Sequence, residues 1–81
     1  MDEKAILDRI NDFIDEEHAL RQAHERSETT GEDARRRLRE LEVALDQCWD
    51  LLRQRRARIE AGQNPEDAHV RPASEVEGYR Q

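Results

Sequence analysis

The residues able to do chemistry are few. The 81-residue chain has three His and one Cys. His18, His24, Cys48 and His69 are its soft or borderline metal ligands. His18 and His24 are six apart, about 120° around a helix, so they do not converge on one ion. Cys48 falls at the far end of the expected helices from His24. Asp15-Glu16-Glu17-His18 sets acids beside a His, but a di-iron bundle needs Glu-x-x-His on two helices, and Leu20 holds that place after Glu17. No metal or cofactor is expected. Nucleophilic catalysis needs a Ser, Cys or Thr beside a base. Cys48 lies between Leu45 and Leu52, where a free Cys acts as a small hydrophobe. The three glycines are isolated and form no phosphate loop. The chain is not read as an enzyme.

Two charged features remain. Arg53, Arg55, Arg56 and Arg58 form a candidate basic patch, with Arg35, Arg36, Arg37 and Arg39 earlier in the chain. Such runs can bind phosphate backbones. Here Glu40, Glu42, Asp46, Asp50 and Glu60 surround them, and the formal net charge is −6, so nucleic acid is not the expected partner. Glu28, Glu32 and Asp33 make an acidic turn. A helical hairpin with such a tip is analogous in shape to the coiled-coil factors that enter the secondary channel of RNA polymerase. The patch and the tip together supply an alternative function, a small regulator contacting nucleic acid or the transcription machinery.

The elements that would position these residues are helical. Charged residues make up 42% of the chain and hydrophobic residues 35%, with one Phe, one Trp and one Tyr. So few aromatic and β-branched residues argue against a sheet. No apolar run approaches the ~20 residues that span a membrane, and the acidic Met1-Asp2-Glu3 start does not suit a signal peptide. A cytoplasmic location is expected. A lone Cys excludes a disulfide framework.

The fold expected is all-α, an antiparallel helical hairpin over 1–62 with an extended or partly helical tail over 63–81. The first helix spans about 2–26, with Ile6, Leu7, Ile10, Phe13, Ile14 and Leu20 on one side. A turn occupies 27–31, and Thr29 with Glu32, or Thr30 with Asp33, would cap the second helix. That helix spans about 31–61. Ala34, Leu38, Leu41, Leu45, Cys48, Leu52, Arg55 and Ile59 alternate by four and three, a heptad seam. Gly62 suits the left-handed position beyond its end. Asn64 and Ser74 could each cap a short turn in the tail.

Folding the hairpin about residue 29 sets Leu20 level with Leu38, Phe13 with Leu45, Ile10 with Cys48, Ile6 with Leu52, and Glu3 with Arg55. Glu3 and Arg55 become a candidate charge pair at the one charged seam position. Glu17, Arg21, His24 and Arg37 form a polar layer nearer the turn. The apolar stripes cover roughly 140° on the first helix and 160° on the second, wider than one partner helix needs. Trp49 and Leu51 flank the seam on opposite sides. The expectation is a homodimer of hairpins in a four-helix bundle, with Ile10, Phe13, Ile14, Leu45, Cys48, Trp49, Leu51 and Leu52 at the interface. An unknown protein partner is the rival occupant of the spare face.

The run from Leu38 to Val43 and from Leu45 to Arg58 is distinctive. So is the tail, with Asn64-Pro65-Glu66-Asp67-Ala68, Val70-Arg71-Pro72 and Val76-Glu77-Gly78-Tyr79. Together they resemble a family of short actinobacterial proteins known as domain of unknown function 2630. The resemblance covers nearly the whole chain and implies a bacterial cytoplasmic protein; it brings no activity or ligand. It draws attention to Asp46, Gln47, Asp50 and Gln54, which the seam does not use. They are either plain polar surface or a dock onto which Arg71, Val76 and Tyr79 fold back near Trp49. The function expected is an interaction or scaffold module that self-associates.

Overall fold

The computed structural model describes residues 1–77, and the reading of Tyr79 lies outside them. Among the described residues there are two long helices, a single 3-10 turn and a short third helix, with no strands. The first helix, α1, spans Glu3–Glu25, and the second, α2, spans Gly31–Glu60. The side chain of Asp2 caps α1 by accepting from the Ala5 N–H at 2.8 Å. Thr30 caps α2, its Oγ1 accepting from the Asp33 N–H at 3.1 Å. Each cap satisfies one of the backbone donors that a helix start leaves orphaned.

Both long helices end alike. After α1, the Ser27 N–H donates to the His24 carbonyl and the Glu28 N–H to the Ala23 carbonyl. After α2, the Gly62 N–H donates to the Ile59 carbonyl and the Gln63 N–H to the Arg58 carbonyl. This paired closure needs a left-handed residue just past the end. Gly62 takes it at φ 72°, and Ser27 takes it at φ 60° despite its Cβ.

The hairpin core gathers at the end away from the turn. Ile6, Ile10, Cys48, Leu51 and Leu52 are buried together, with Phe13, Ile14, Leu45 and Ala68 packed against them. Nearer the turn, Leu41 and Ala34 are buried. Two ion pairs fix the register on opposite edges of the seam. Arg56 donates to Glu3, with Nη2 to Oε1 at 2.6 Å, near the open end. Arg37 grips Glu16 nearer the turn, Nε to Oε2 at 2.5 Å and Nη2 to Oε1 at 3.0 Å.

The pair expected between Glu3 and Arg55 is not formed. At ~100° per residue, Arg56 sits about 60° to one side of Leu41, the side on which Glu3 lies on α1. Arg55 sits about 40° to the other side and turns away from α1. Its Nη1 meets the tail instead, donating to Glu66 Oε1 at 2.9 Å and to the Pro65 carbonyl at 3.3 Å. Level pairing across the hairpin estimates height along the helix and ignores azimuth, and azimuth decides here.

The tail turns back at Gly62 and runs antiparallel to α2. Its 3-10 turn, Pro65–Asp67, is capped by Asn64, whose Oδ1 accepts from the Glu66 N–H at 3.0 Å. The third helix, α3, spans Ala73–Glu77 and packs on α2, with Val76 only 2% exposed. It begins one residue before Ser74, and the Pro72 carbonyl accepts the N–H groups of Glu75 and Val76.

Candidate functional site

Helix α2 has a face against α1 and two flanks beside it. One flank carries Ala44, Gln47, Leu51 and Gln54, and the other carries Glu42, Trp49 and Arg53. Asp50 lies about 180° from Leu41, on the side that a two-helix hairpin leaves in water. It is nevertheless 1% exposed, because the tail covers it. A buried carboxylate needs a cation and full hydrogen bonding. Arg71 supplies a fork: Nε donates to Oδ2 at 2.9 Å and Nη2 donates to Oδ1. Gln54 adds a third donor to Oδ2 at 2.9 Å. These contacts, Arg71 foremost, hold the Asp50 carboxyl below its ordinary range despite burial.

The two glutamines bind the tail by its backbone. Gln54 donates to the His69 carbonyl at 2.8 Å, and Gln47 donates to the Arg71 carbonyl at 3.2 Å. Glu66 accepts from Arg55 and from the amino group of Met1 at 3.1 Å, and both contacts lower its carboxyl, Arg55 the more. Gln47, Asp50 and Gln54, which the seam does not use, are thus the tail's dock. The second neighbour that the wide stripe demanded on the Leu51 side is the chain's own tail.

This narrows the surface left for a partner. Ile10, Cys48, Leu51 and Leu52, expected at an interface between chains, are buried within one chain, and Phe13, Ile14 and Leu45 are half-buried against them. Trp49 stays 41% exposed. Leu7, 36% exposed, lies on the same side of the hairpin, the side marked by the Glu3–Arg56 pair. The four arginines of the candidate basic patch point around the helix rather than together. Arg55 is buried on Glu66, Arg56 holds Glu3, and Arg58 donates to Gln63 at 3.2 Å. Arg53 also interacts within the chain.

The remaining chemistry is sparse. Burial pushes the Cys48 thiol up, away from the reactive thiolate. A groove beside it, lined by Met1, Ile6, Phe13, Leu51 and Val70 among others, holds about 80 Å³. A small-molecule site is typically ~300 Å³ or more, so the groove is no pocket for one. Among the described residues no group of three or more His, Cys, Asp or Glu is placed to hold a metal ion. No helix among them is long and apolar enough to cross a membrane. In the polar layer Arg21 pairs with Glu17 at 3.1 Å, while Arg37 reaches Glu16 and Glu40 rather than Arg21's neighbourhood.

A family model described as "Protein of unknown function (DUF2630)" matches residues 2–81. Uncharacterized proteins of Mycobacterium tuberculosis and Mycobacterium bovis are 48% identical to the chain over 73 residues, 90% of this chain and 84% of each relative. No solved structure matches.

Proposed function

Since the chain belongs to the DUF2630 family, whose description carries no activity, we propose from its surface that it is a non-enzymatic interaction module that self-associates through the Trp49 flank of its helical hairpin. One observation supports the reading: Trp49 is 41% exposed on the flank that, among the described residues, neither α1 nor the tail covers. Trp is a costly residue to leave in water and a frequent anchor of interfaces. Leu7 widens the apolar area beside it. Burying two such residues from each of two chains gives the core of an interface, with the charged residues of α2 as its rim. The test is sedimentation velocity of the full chain at micromolar concentration, beside Trp49→Ala. A dimer that the substitution weakens supports the reading. A monomer up to about 100 μM, an affinity too weak for a working dimer, overturns it.

A further inference from the structure

The solvent face of α2 carries a second heptad stripe that the α1 seam does not use. It runs Arg39, Glu42, Asp46, Trp49, Arg53, Arg56, Glu60, alternating by three and four. All seven stand exposed except Asp46, which is half-buried. The charges along it read plus, minus, minus, then Trp49, then plus, plus, minus. The pattern inverts its sign about Trp49.

We infer that two copies of this chain pair α2 against α2 in antiparallel fashion, with Trp49 on the two-fold axis. The proposal rests on the self-association proposed above and specifies its partner face and register. A two-fold axis makes an interface self-complementary, so residue i meets j and j meets i. With Trp49 on the axis, stripe positions the same number of heptad steps from it face each other, to within one residue. Asp46 meets Arg53 of the second copy, Glu42 meets Arg56, and Arg39 meets Glu60. Every facing pair has opposite charge, and symmetry repeats each pair. A parallel arrangement would set each of these residues against its own copy, like charge on like. Such charge patterns choose orientation and register in paired helices, while the apolar centre supplies most of the affinity.

Glu42, Asp46 and Arg53 also interact within their own chain, and Arg56 holds Glu3. The pairs with the second copy therefore add to an existing surface network. Arg39 and Glu60 are the cleanest members, since neither has a partner among the described residues. Glu60 also sits in the last turn of α2, where the helix dipole disfavours an acid. A cation from a second copy would compensate it.

The experiment is sedimentation of full-length variants, with circular dichroism to confirm helix content. Arg39→Glu and Glu60→Arg are each expected to weaken the dimer about fivefold, and the double variant to restore it, because the swap re-forms both pairs. Asp46→Arg and Arg53→Asp, nearer the axis, are expected to weaken it about tenfold each and to pair with one another when mixed. Glu60→Arg suits the dipole better than the native residue, so a weaker dimer there cannot come from a weaker helix. A wild-type dimer that Trp49→Ala weakens, but that responds equally to the single and double swaps, overturns the register and leaves the self-association standing. A wild-type monomer overturns both.

Discussion

On the side of α2 that the tail covers, Asp50 is 1% and Leu51 6% exposed; on the open flank Trp49 is 41% exposed. Both sides belong to one helix. The covered side buries the polar group, and the open flank exposes the aromatic one. Hydrophobicity alone would have chosen the reverse. What decides is the tail, which packs Ala68 and Val76 down but also brings charged and backbone groups that need polar partners. Its cation Arg71 needs Asp50, and its backbone carbonyls need the amides of Gln47 and Gln54. A strap carrying such groups selects a polar groove and leaves Trp49 for another surface.

Removing the strap breaks the contrast most directly. Truncation after Gly62 is expected to destabilise the hairpin by about 3 kcal/mol in urea melts, since it removes the Arg71–Asp50 contact and the tail's hydrogen bonds and bares the Leu51 side. Trp49 emission should change little, because the described tail contacts lie on Gln47, Asp50, Gln54 and Arg55 rather than on Trp49. Asp50→Ala is expected to cost about 2–3 kcal/mol, less than the idealised loss of a buried partner because Arg71 can turn back to water. Acid should mimic that variant in part. The Asp50 carboxyl is held low by Arg71, so its contribution is full above the unfolded aspartate value of about 3.9 and is lost as pH falls through the lower folded value. Amide exchange in 65–76 should therefore rise below pH 4 before that of the α1–α2 seam.

Smaller changes sharpen the comparison. Gly62→Ala is expected to cost about 1 kcal/mol, wholly from its left-handed backbone, because no atom lies within 4 Å of an added Cβ. Ser27→Gly should gain about 0.5–1 kcal/mol, relieving the same conformation at the other turn. Trp49→Ala should cost the monomer less than Asp50→Ala, about 1 kcal/mol, because much of its ring is already in water. A large loss there would mean that the open flank is core after all.

Much of this is legible in the amino-acid pattern. The heptad from Ala34 to Ile59 marks α2, Thr30 and Asp33 mark its start, and Gly62 its end. These signals are local, and local geometry decides them. The width of the α2 stripe calls for more than α1 beside it and is read as a second chain; on the Leu51 side the neighbour is the chain's own tail, and width is silent on that identity. Height along the hairpin sets Arg55 against Glu3, and only the azimuth of Arg55, toward Glu66, shows otherwise. The dock of Gln47, Asp50 and Gln54 stands out as polar residues unneeded by the seam. Two of its partners are backbone carbonyls, which have no signature in side-chain types.

The two left-handed turns have a consequence for how the chain reaches this structure. Both partners of α2 are its neighbours along the chain, each attached by a sharp turn, so contacts can grow outward from Ser27 and Gly62 like two zippers. On the tail side the hydrogen-bonded separations run from 10 residues for Arg55–Pro65 to 24 for Gln47–Arg71. On the hairpin side they run from 21 for Glu16–Arg37 to 53 for Glu3–Arg56. Short loops close first and at lower entropic cost. The tail is therefore able to seat on α2 before the far end of α1 arrives, shielding Asp50 and Leu51 while the hairpin is still open.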